Sequence, residues 1–256
     1  MALVSVRDVS KVFANGVRAL DHLSLDIQEG EFLIVLGPSG CGKSTLLRLL
    51  AGLAAPSGGS ISWSGERGAL GFVFQEPTLM PWASALANVA LPLRLAGIAA
   101  SEREARARVA LQQVGLDGFE NAVPRELSGG MRMRVSIARA LVTSPKLLLM
   151  DEPFAALDEI TRHKLNGDLL ELWQRTRVTV VFVTHSVFES VFLSQRIAVM
   201  TARPGRIQSQ IRIEAPYPRA EAFRTSAEYA AICRVVSNRL VEAMAASAGA
   251  VPAGAA

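Results

Sequence analysis

The sequence predicts an α/β protein with a mixed sheet at its core, an antiparallel β subdomain and an inserted α-helical subdomain. Three patterns predict this class. An apolar run at residues 32–36 leads through a glycine-rich loop into a helix-like segment. Residues 147–150 and 178–183 are apolar without alternation, which suits parallel strands buried on both faces. Residues 84–142 show helical patterning and no convincing strand.

The composition is that of a globular chain with one sizeable core, because 50% of the 256 residues are hydrophobic. The 27 basic and 23 acidic residues give a net charge of +4, which does not indicate a nucleic-acid surface. Cys41 and Cys233 lie far apart in the sequence, so we expect free thiols in the reducing cytosol. No secretory signal or run of about 20 apolar residues is visible, so we expect any membrane role to depend on a partner.

Alternating polar and apolar residues near the amino terminus predict the antiparallel subdomain. Residues 3–6 and 23–27 have this pattern, and Asn15-Gly16 supplies a turn between them. Phe13 lies in the same region, where an aromatic ring either stacks on a nucleotide base or packs into the core. The residues alone leave both interpretations of Phe13 open.

The glycine-rich loop around which the chain is organised reads Gly37-Pro38-Ser39-Gly40-Cys41-Gly42-Lys43-Ser44. Its glycines let successive backbone N–H groups converge on one anion, and Lys43 supplies charge for the outer phosphates. Ser44 is placed to hold Mg²⁺ through its hydroxyl, and the following helix N-terminus adds partial positive charge. The alternative is an ordinary glycine turn, but the full pattern in a strand–loop–helix context favours a phosphate cradle.

The predicted helical subdomain covers about residues 76–144. A Ser101-x-x-Glu104 capping box predicts the start of one of its helices, and Gly115 is placed to end that helix. Near its carboxyl end, Ser128, Gly129 and Gly130 precede another helix. They form either a second anion site or a simple helix cap, and on these residues alone the cap is favoured.

Polar residues follow two of the predicted buried strands. Asp151 and Glu152 end the run at 147–150, and His185 follows the run at 178–183. Ligands of open α/β sheets bind beyond the carboxyl ends of such strands. We therefore expect Asp151 to bind Mg²⁺, Glu152 to act as a general base and His185 to donate a hydrogen bond to a phosphate oxygen. The alternatives are a solvated acidic turn and a structural histidine. His22 and His163 have no comparable placement.

The last segments are predicted as strands at 196–200 and 207–213, a helical extension at 216–245 and a disordered tail at 246–256. A Thr225-x-x-Glu228 box is placed to cap the last helix. Five residues of that helix form the predicted packing stripe: Tyr229, Ile232, Val236, Leu240 and Met244.

Over residues 1–215 these motifs together resemble the ATP-binding subunit of ATP-binding-cassette (ABC) transporters, which implies the P-loop NTPase ABC ATPase fold. The resemblance implies ATP hydrolysis with ATP and Mg²⁺. It assigns catalysis to Glu152, His185, Gln75 and Lys43, and metal binding to Ser44, Gln75 and Asp151. The implied nucleotide contacts are Phe13, Gly37, Pro38, Ser39, Gly40, Cys41, Gly42, Lys43, Ser44, Thr45, Ser128, Gly129, Gly130 and Asp158.

The resemblance also implies an assembly. Residues 128–130 of one subunit complete the ATP site of a second copy in a head-to-tail homodimer. The dimer acts on two transmembrane permease subunits with a solute-binding protein, at the cytoplasmic face of the inner membrane and without nucleic acid. The helical subdomain and the loop at 79–82 are the expected contacts with the permease.

Residues 74–77, 79–82 and 202–206 are similar to the branch of this family that imports nitrate, sulfonates and taurine, so we expect uptake of a small anionic solute. The sequence departs from that branch at Met133, Ser186 and Ala155. The competing functions are a soluble ABC ATPase not coupled to transport and a P-loop kinase or GTPase. The second leaves residues 128–130 and His185 unexplained.

Overall fold

The computed structural model describes residues 1–248 and divides into two units. Unit 1 is built from residues 1–67 and the described residues from Thr179 onward, and unit 2 is Gly68–Val178. The strands are β1 (Ala2–Val12), β2 (Arg18–Gln28), β3 (Phe32–Leu36), β4 (Gly58–Trp63), β5 (Leu70–Val73), β6 (Leu147–Asp151), β7 (Thr179–Thr184), β8 (Arg196–Met200) and β9 (Ile207–Arg212). The helices are α1 (Lys43–Leu50), α2 (Ala85–Leu95), α3 (Ala100–Gln113), α4 (Gly129–Leu141), α5 (Glu159–Thr176), α6 (Val187–Leu193), α7 (Glu221–Arg224) and α8 (Ala227–Ala248), with a 3-10 turn at Pro124–Glu126.

Unit 1 contains the predicted antiparallel sheet, with the strand order β2-β1-β4. β1 pairs antiparallel with both neighbours. The side chains of Val4, Val6 and Val9 are fully buried, whereas Arg7 and Asp8 between them are exposed. The alternation that predicted this sheet therefore marks its packed and solvated faces.

The second sheet of unit 1 has β3 between two parallel neighbours, β7 and β8, while β9 pairs antiparallel with β8. The predicted mixed sheet is therefore confirmed. Every residue of β3 and β7 is buried. Their unbroken apolar runs follow from burial on both faces, because neither strand has a solvated side on which polar residues would alternate.

Unit 2 contains the parallel pair β5–β6 and the predicted inserted helices. Ser84 caps α2 by accepting a hydrogen bond from Ala87 N at 3.2 Å, and Asn88 on that helix is fully buried. The segment 84–142 contains α2, α3, the 3-10 turn and α4 and no strand.

The predicted capping box at Ser101 is wrong. The N-cap of α3 is two residues earlier, at Ala99, whose methyl group cannot accept a hydrogen bond. Ser101 therefore lies inside the first turn. The other end agrees with the sequence, because α3 ends at Gln113 and Gly115 follows with a positive φ of 68°.

The C-terminal helix α8 also begins differently from the prediction. Ser226, not Thr225, accepts the capping bond, from Tyr229 N at 3.1 Å. The most buried positions along α8 are Tyr229, Cys233, Val236 and Ala243, whereas Met244 is 49% exposed. Cys233 and Ala243 are compatible with either face by hydropathy, so their burial was not evident from the sequence.

The predicted tail at 246–256 lies outside the described residues from 249 onward, and residues 246–248 are the last residues of α8. Among residues 1–248, none of the helices combines the length and the apolar character that crossing a membrane requires.

Candidate functional site

The glycine-rich loop of unit 1 connects β3 to α1 and is packed tightly from behind. Gly42, the N-cap of α1, has φ of +109°, and a Cβ on it would lie 2.7 Å from Ala19 O. Only glycine fits this position without strain. Because the N-cap has no side chain, it makes no capping bond, and the first turn of α1 contains no acidic residue. A helix N-terminus without a side-chain cap or a nearby carboxylate is typical of an anion-binding site.

Lys43 carries the positive charge of the loop. The residue is 4% exposed, and its Nζ donates hydrogen bonds to Gly37 O at 2.9 Å and Pro38 O at 3.0 Å. These bonds hold the ammonium group across the concave side of the loop. Such a fixed cation beside a helix N-terminus fits a polyphosphate.

His185 is brought to the same sheet edge as the loop. β3 and β7 are adjacent and parallel, and their last residues, Leu36 and Thr184, are register partners. The loop leaves β3 at Gly37, and His185 leaves β7 as an exposed residue. The predicted meeting of these two groups at one edge is thus present within unit 1.

Phe13 lies at the turn between β1 and β2. Its side chain is 41% exposed, and Lys11 Nζ lies 5.7 Å from the ring centroid. Core packing, one of the two interpretations open at the sequence level, is therefore wrong for Phe13. The exposed part of the ring is compatible with stacking on a flat apolar group.

Unit 2 brings together Gln75, Asp151 and Glu152. β5 and β6 are parallel, with Val73 opposite Met150, so Gln75 follows one strand where Asp151 ends its neighbour. Glu152 has a positive φ of 45°, a conformation that non-glycine residues adopt rarely and that concentrates at functional sites. The abrupt turn directs the chain away immediately after the two carboxylates.

Ser128 caps α4 in the way that the sequence alone favoured, because its hydroxyl oxygen accepts from Met131 N at 3.2 Å. That bond leaves the hydroxyl proton available to a ligand. Asp158, exposed in the same unit, caps α5 by accepting from Thr161 N at 2.9 Å. The hydrogen bonds from Thr161 hold the pKa of Asp158 below its usual range, so this carboxylate is charged at neutral pH.

Sequence reasoning missed three residues that support the loop of unit 1. Arg203 donates through Nε and Nη2 to Gly40 O at 3.1 and 2.9 Å. Gly205 passes so close behind the loop that a Cβ on it would lie 2.2 Å from Cys41 O. Asp21, 2% exposed, accepts from Arg206 Nε at 2.8 Å. The Arg-Pro-Gly-Arg sequence signalled a family branch, but only the tertiary structure shows these contacts.

Two further residues that sequence reasoning missed hold the loop before α2. The buried Asn88 accepts from Met80 N at 2.7 Å and donates to the carbonyls of Met80, Ala83 and Ser84. Arg139 donates to Pro77 O at 2.8 Å and Thr78 O at 2.9 Å. For Asn88 the sequence did contain a signal, because an asparagine surrounded by apolar helix residues indicates a buried polar group with a structural role.

The departures from the family pattern have different consequences. Ser186 is the N-cap of α6, accepting from Glu189 N at 3.2 Å, so serine performs the capping that aspartate would perform. Met133 is 2% exposed and packs in the interior of unit 2. Ala155 donates its N–H to Glu152 O at 3.2 Å, within the turn that contains Glu152.

No group of three or more His, Cys, Asp or Glu side chains among residues 1–248 could hold a metal ion by itself. This donor chemistry fits Mg²⁺ better than a structural zinc ion, because Mg²⁺ at nucleotide sites uses one or two protein oxygens together with phosphate oxygens and water. Ser44 in unit 1 and Asp151 in unit 2 each carry an oxygen of the type that Mg²⁺ prefers.

Comparisons with known proteins agree with these features. A family model described as "ABC transporter" matches residues 20–155. The taurine import ATP-binding protein TauB of Rhizobium johnstonii is 49% identical over 207 residues, covering 79% of this chain and 79% of the relative. The aliphatic sulfonates import ATP-binding protein SsuB of Bacillus cereus is 43% identical over 228 residues, covering 85% and 89%.

Solved structures are similar as well. A dimeric structure of the ATP-binding cassette MJ0796, in a post-hydrolysis state bound to ADP and Pi, is 34% identical with a TM-score of 0.73. The match covers 83% of this chain and 100% of that one.

Proposed function

Because this chain belongs to the ABC transporter family of ATP-binding proteins and is an ATPase, we propose that it powers a membrane importer. The observation that carries the proposal is the register of β3 and β7, which brings the glycine-rich loop and His185 to one sheet edge. A structural glycine turn does not need a histidine beside it. A site that binds and cleaves a triphosphate needs both a phosphate-binding loop and a hydrogen-bond donor to the γ-phosphate.

In this proposal the loop binds the phosphates of ATP. Backbone N–H groups of residues 39–45 surround the β-phosphate, and Lys43 exchanges its bonds to Gly37 O and Pro38 O for phosphate oxygens. Phe13, which is 41% exposed, stacks on the adenine. His185 donates a hydrogen bond to the γ-phosphate.

Ser44, Gln75 and Asp151 would hold Mg²⁺ bound together with ATP. A bound Mg²⁺ would offset the charge of the phosphate oxygens as it develops during cleavage. Hydroxyl, amide and carboxylate oxygens are the hard donors that this ion takes. The positions support this role, since Asp151 ends a buried strand and Ser44 lies in the first turn of α1.

Glu152 acts as the general base. It accepts a proton from the water that attacks the γ-phosphorus, while the bond from that phosphorus to the β–γ bridging oxygen breaks and ADP leaves. Its positive φ of 45° supports a selected orientation, because a non-glycine residue is held there only when the surroundings require it. Gln75 follows the neighbouring strand and orients the same water.

The active form is a head-to-tail homodimer. Ser128, Gly129 and Gly130, with the Ser128 hydroxyl proton available and the N-terminus of α4 behind it, bind the γ-phosphate held by a second copy. Asp158 lies on the same face of the interface. Binding two ATP molecules closes the dimer, and hydrolysis opens it.

Closure and opening move two permease subunits at the cytoplasmic face of the inner membrane, where this chain is peripheral. A solute-binding protein delivers the solute. The names of the relatives support a small anionic solute of the taurine or sulfonate type. The helical part of unit 2 and the exposed Trp82 contact the permease.

Glu152→Gln tests the proposal. The amide keeps the size of the side chain but cannot accept the proton, so we expect ATP hydrolysis to fall by roughly three powers of ten while ATP binding persists. We also expect the variant to form a dimer in ATP and Mg²⁺, measured by light scattering after size-exclusion chromatography.

The matched control is Glu171→Gln, on α5 of the same unit and outside the proposed site, which should hydrolyse ATP at the wild-type rate. Normal turnover in Glu152→Gln would remove Glu152 from the role of base. A dimer that hydrolyses ATP but associates with no membrane protein would favour the soluble ABC ATPase.

A further inference from the structure

The segment after β9 packs against α6, the helix that follows His185. This segment contains α7 and α8 and, in its described residues, contributes no strand to the mixed sheet. Its residues contact the backbone of α6 at both ends and in the middle, all within unit 1. We propose that this C-terminal extension positions His185 for its role at the γ-phosphate, acting through α6; the inference rests on the function proposed above.

The helix α6 is too short to be stable alone. It has seven residues, fewer than two turns, and isolated helices below about 12 residues are marginal in water. Its structure therefore depends on groups that bind its unpaired ends. The last four carbonyls of a helix have no partner within it, so the C-terminal end of α6 needs donors from elsewhere.

The extension supplies those donors. Arg219 is 4% exposed, and its Nη1 donates to Val191 O at 2.9 Å and Phe192 O at 3.0 Å. Tyr217 Oη donates to Leu193 O at 3.0 Å. Of the last four carbonyls of α6, three thus accept bonds from the extension, and Ser190 O accepts from Ser194 Oγ at 2.7 Å. A buried guanidinium at a helix C-terminus also opposes the partial negative charge there.

The extension also contacts Phe188 in the first turn of α6 and the ring of Phe192 near its end. Tyr229 Oη on α8 donates to Phe188 O at 2.8 Å. The guanidinium carbon of Arg224 lies 3.4 Å from the ring centroid of Phe192. The extension therefore fixes α6 along its whole length.

The other end of α6 fixes His185. Thr184, the residue before the histidine, donates from Oγ1 to Glu189 Oε2 at 2.6 Å, a buried bond to the first turn of α6. Ser186, the residue after it, donates its N–H to Thr184 Oγ1 at 3.0 Å and caps the helix. Both neighbours of His185 are tied to α6, so a shift of this helix displaces the imidazole.

Tyrosine-to-phenylalanine variants test the inference because each removes one donor and leaves its ring in place. The variants are Tyr217→Phe and Tyr229→Phe, made in the full chain. The control is Arg239→Gln, which removes an exposed ion pair with Glu242 on α8 that does not contact α6. Thermal unfolding of all three variants establishes that they are folded at the assay temperature.

Two measurements follow. We expect kcat for ATP hydrolysis to fall about fivefold in each tyrosine variant, the effect of one lost hydrogen bond, with the KM for ATP changed less than about twofold. In a His185→Ala background the same variants should cause no further loss, because they act through that histidine. Additive losses would overturn the inference.

The second measurement does not depend on ATP. The chain has three histidines, so the imidazole Cε1–H signal of His185 can be assigned by comparison with His185→Ala. We expect this signal to shift in both tyrosine variants and not in Arg239→Gln. An unchanged His185 signal in the tyrosine variants would overturn the inference. A wild-type chain that does not hydrolyse ATP would contradict the proposed function, but the signal shift would still test the positioning of His185.

Discussion

Asp21 is a buried carboxylate that joins the β2 strand to the segment behind the glycine-rich loop. Arg206 donates to its Oδ2 through Nε and Nη2, and Arg18 Nη1 donates to its Oδ1 at 2.7 Å. Burial by itself raises the pKa of such a group, but the hydrogen bonds and charges of both arginines outweigh it and hold the pKa below its usual range. The carboxylate is therefore a charged anchor at neutral pH.

Asp21→Asn tests this anchor. Losing a buried, charge-assisted acceptor should lower the free energy of unfolding by about 2 kcal/mol at pH 7, measured in urea. A lowered folded-state pKa stabilises the fold above the unfolded-state pKa, and that contribution is lost as pH falls through the folded value. The difference between wild type and variant should therefore shrink below about pH 4, the ordinary aspartate value.

The control for this prediction is Asp8→Asn, whose side chain is 69% exposed and pairs with His22 on the surface. A solvated pair contributes little, so this variant should unfold like the wild type. A difference for Asp21→Asn that stays constant down to pH 3 would contradict the anchoring role.

At the level of the elements, the sequence predicted the strands and helices that hydrophobic periodicity determines. It did not predict the helix caps and the packed faces that depend on single contacts. The strands β3 and β7 were predictable because unbroken apolar runs have few alternatives in a chain with a phosphate-type loop. The N-cap of α3 was not predictable. Ser101 and Ala99 lie two positions apart, and only the backbone conformation shows which of them is the N-cap. The burial of Cys233 in place of Ile232 likewise depends on the rotation of α8 about its axis.

The N-terminus of α3 offers a test of that correction. In Ala99→Ser the hydroxyl can accept from the first-turn N–H groups, and Glu102 at the third helical position completes a capping box. We expect a gain of about 1 kcal/mol in unfolding free energy, measured in urea. Ser101→Ala is the matched control and should change stability little, because Ser101 is not the cap. A loss from Ser101→Ala equal to the gain from Ala99→Ser would restore the original prediction.

At the scale of the whole molecule, each of the two units contains some of the residues predicted to bind or cleave ATP. Unit 1 contains the loop, Lys43 and His185, and unit 2 contains Asp151, Glu152 and residues 128–130. Their positions at strand and helix ends followed from the sequence, since parallel strands end at one edge. The supporting residues Arg203 and Arg219 did not, because an arginine that binds backbone carbonyls has no sequence pattern of its own.

The surface proposed for the permease is a rigid loop with an exposed aromatic residue. Trp82 is 79% exposed, although the residues before it are fixed by Asn88 and Arg139. Because the loop backbone on both sides of Trp82 is already held by hydrogen bonds to Asn88, binding costs little backbone entropy, which favours an interface anchor.

Trp82→Ala should therefore separate transport coupling from catalysis. Tryptophan anchors contribute about 2 kcal/mol or more to an interface, so we expect the variant to recover roughly thirtyfold less permease from detergent-solubilised membranes of the source cell. ATP hydrolysis by the isolated chain should be unchanged, because Trp82 has no role in the proposed chemistry. The matched control is Val241→Ala, 65% exposed on α8 of unit 1 and outside the proposed permease surface, which should recover permease like the wild type. Equal permease recovery by Trp82→Ala and the control, measured by quantitative mass spectrometry, would move the permease contact elsewhere on unit 2.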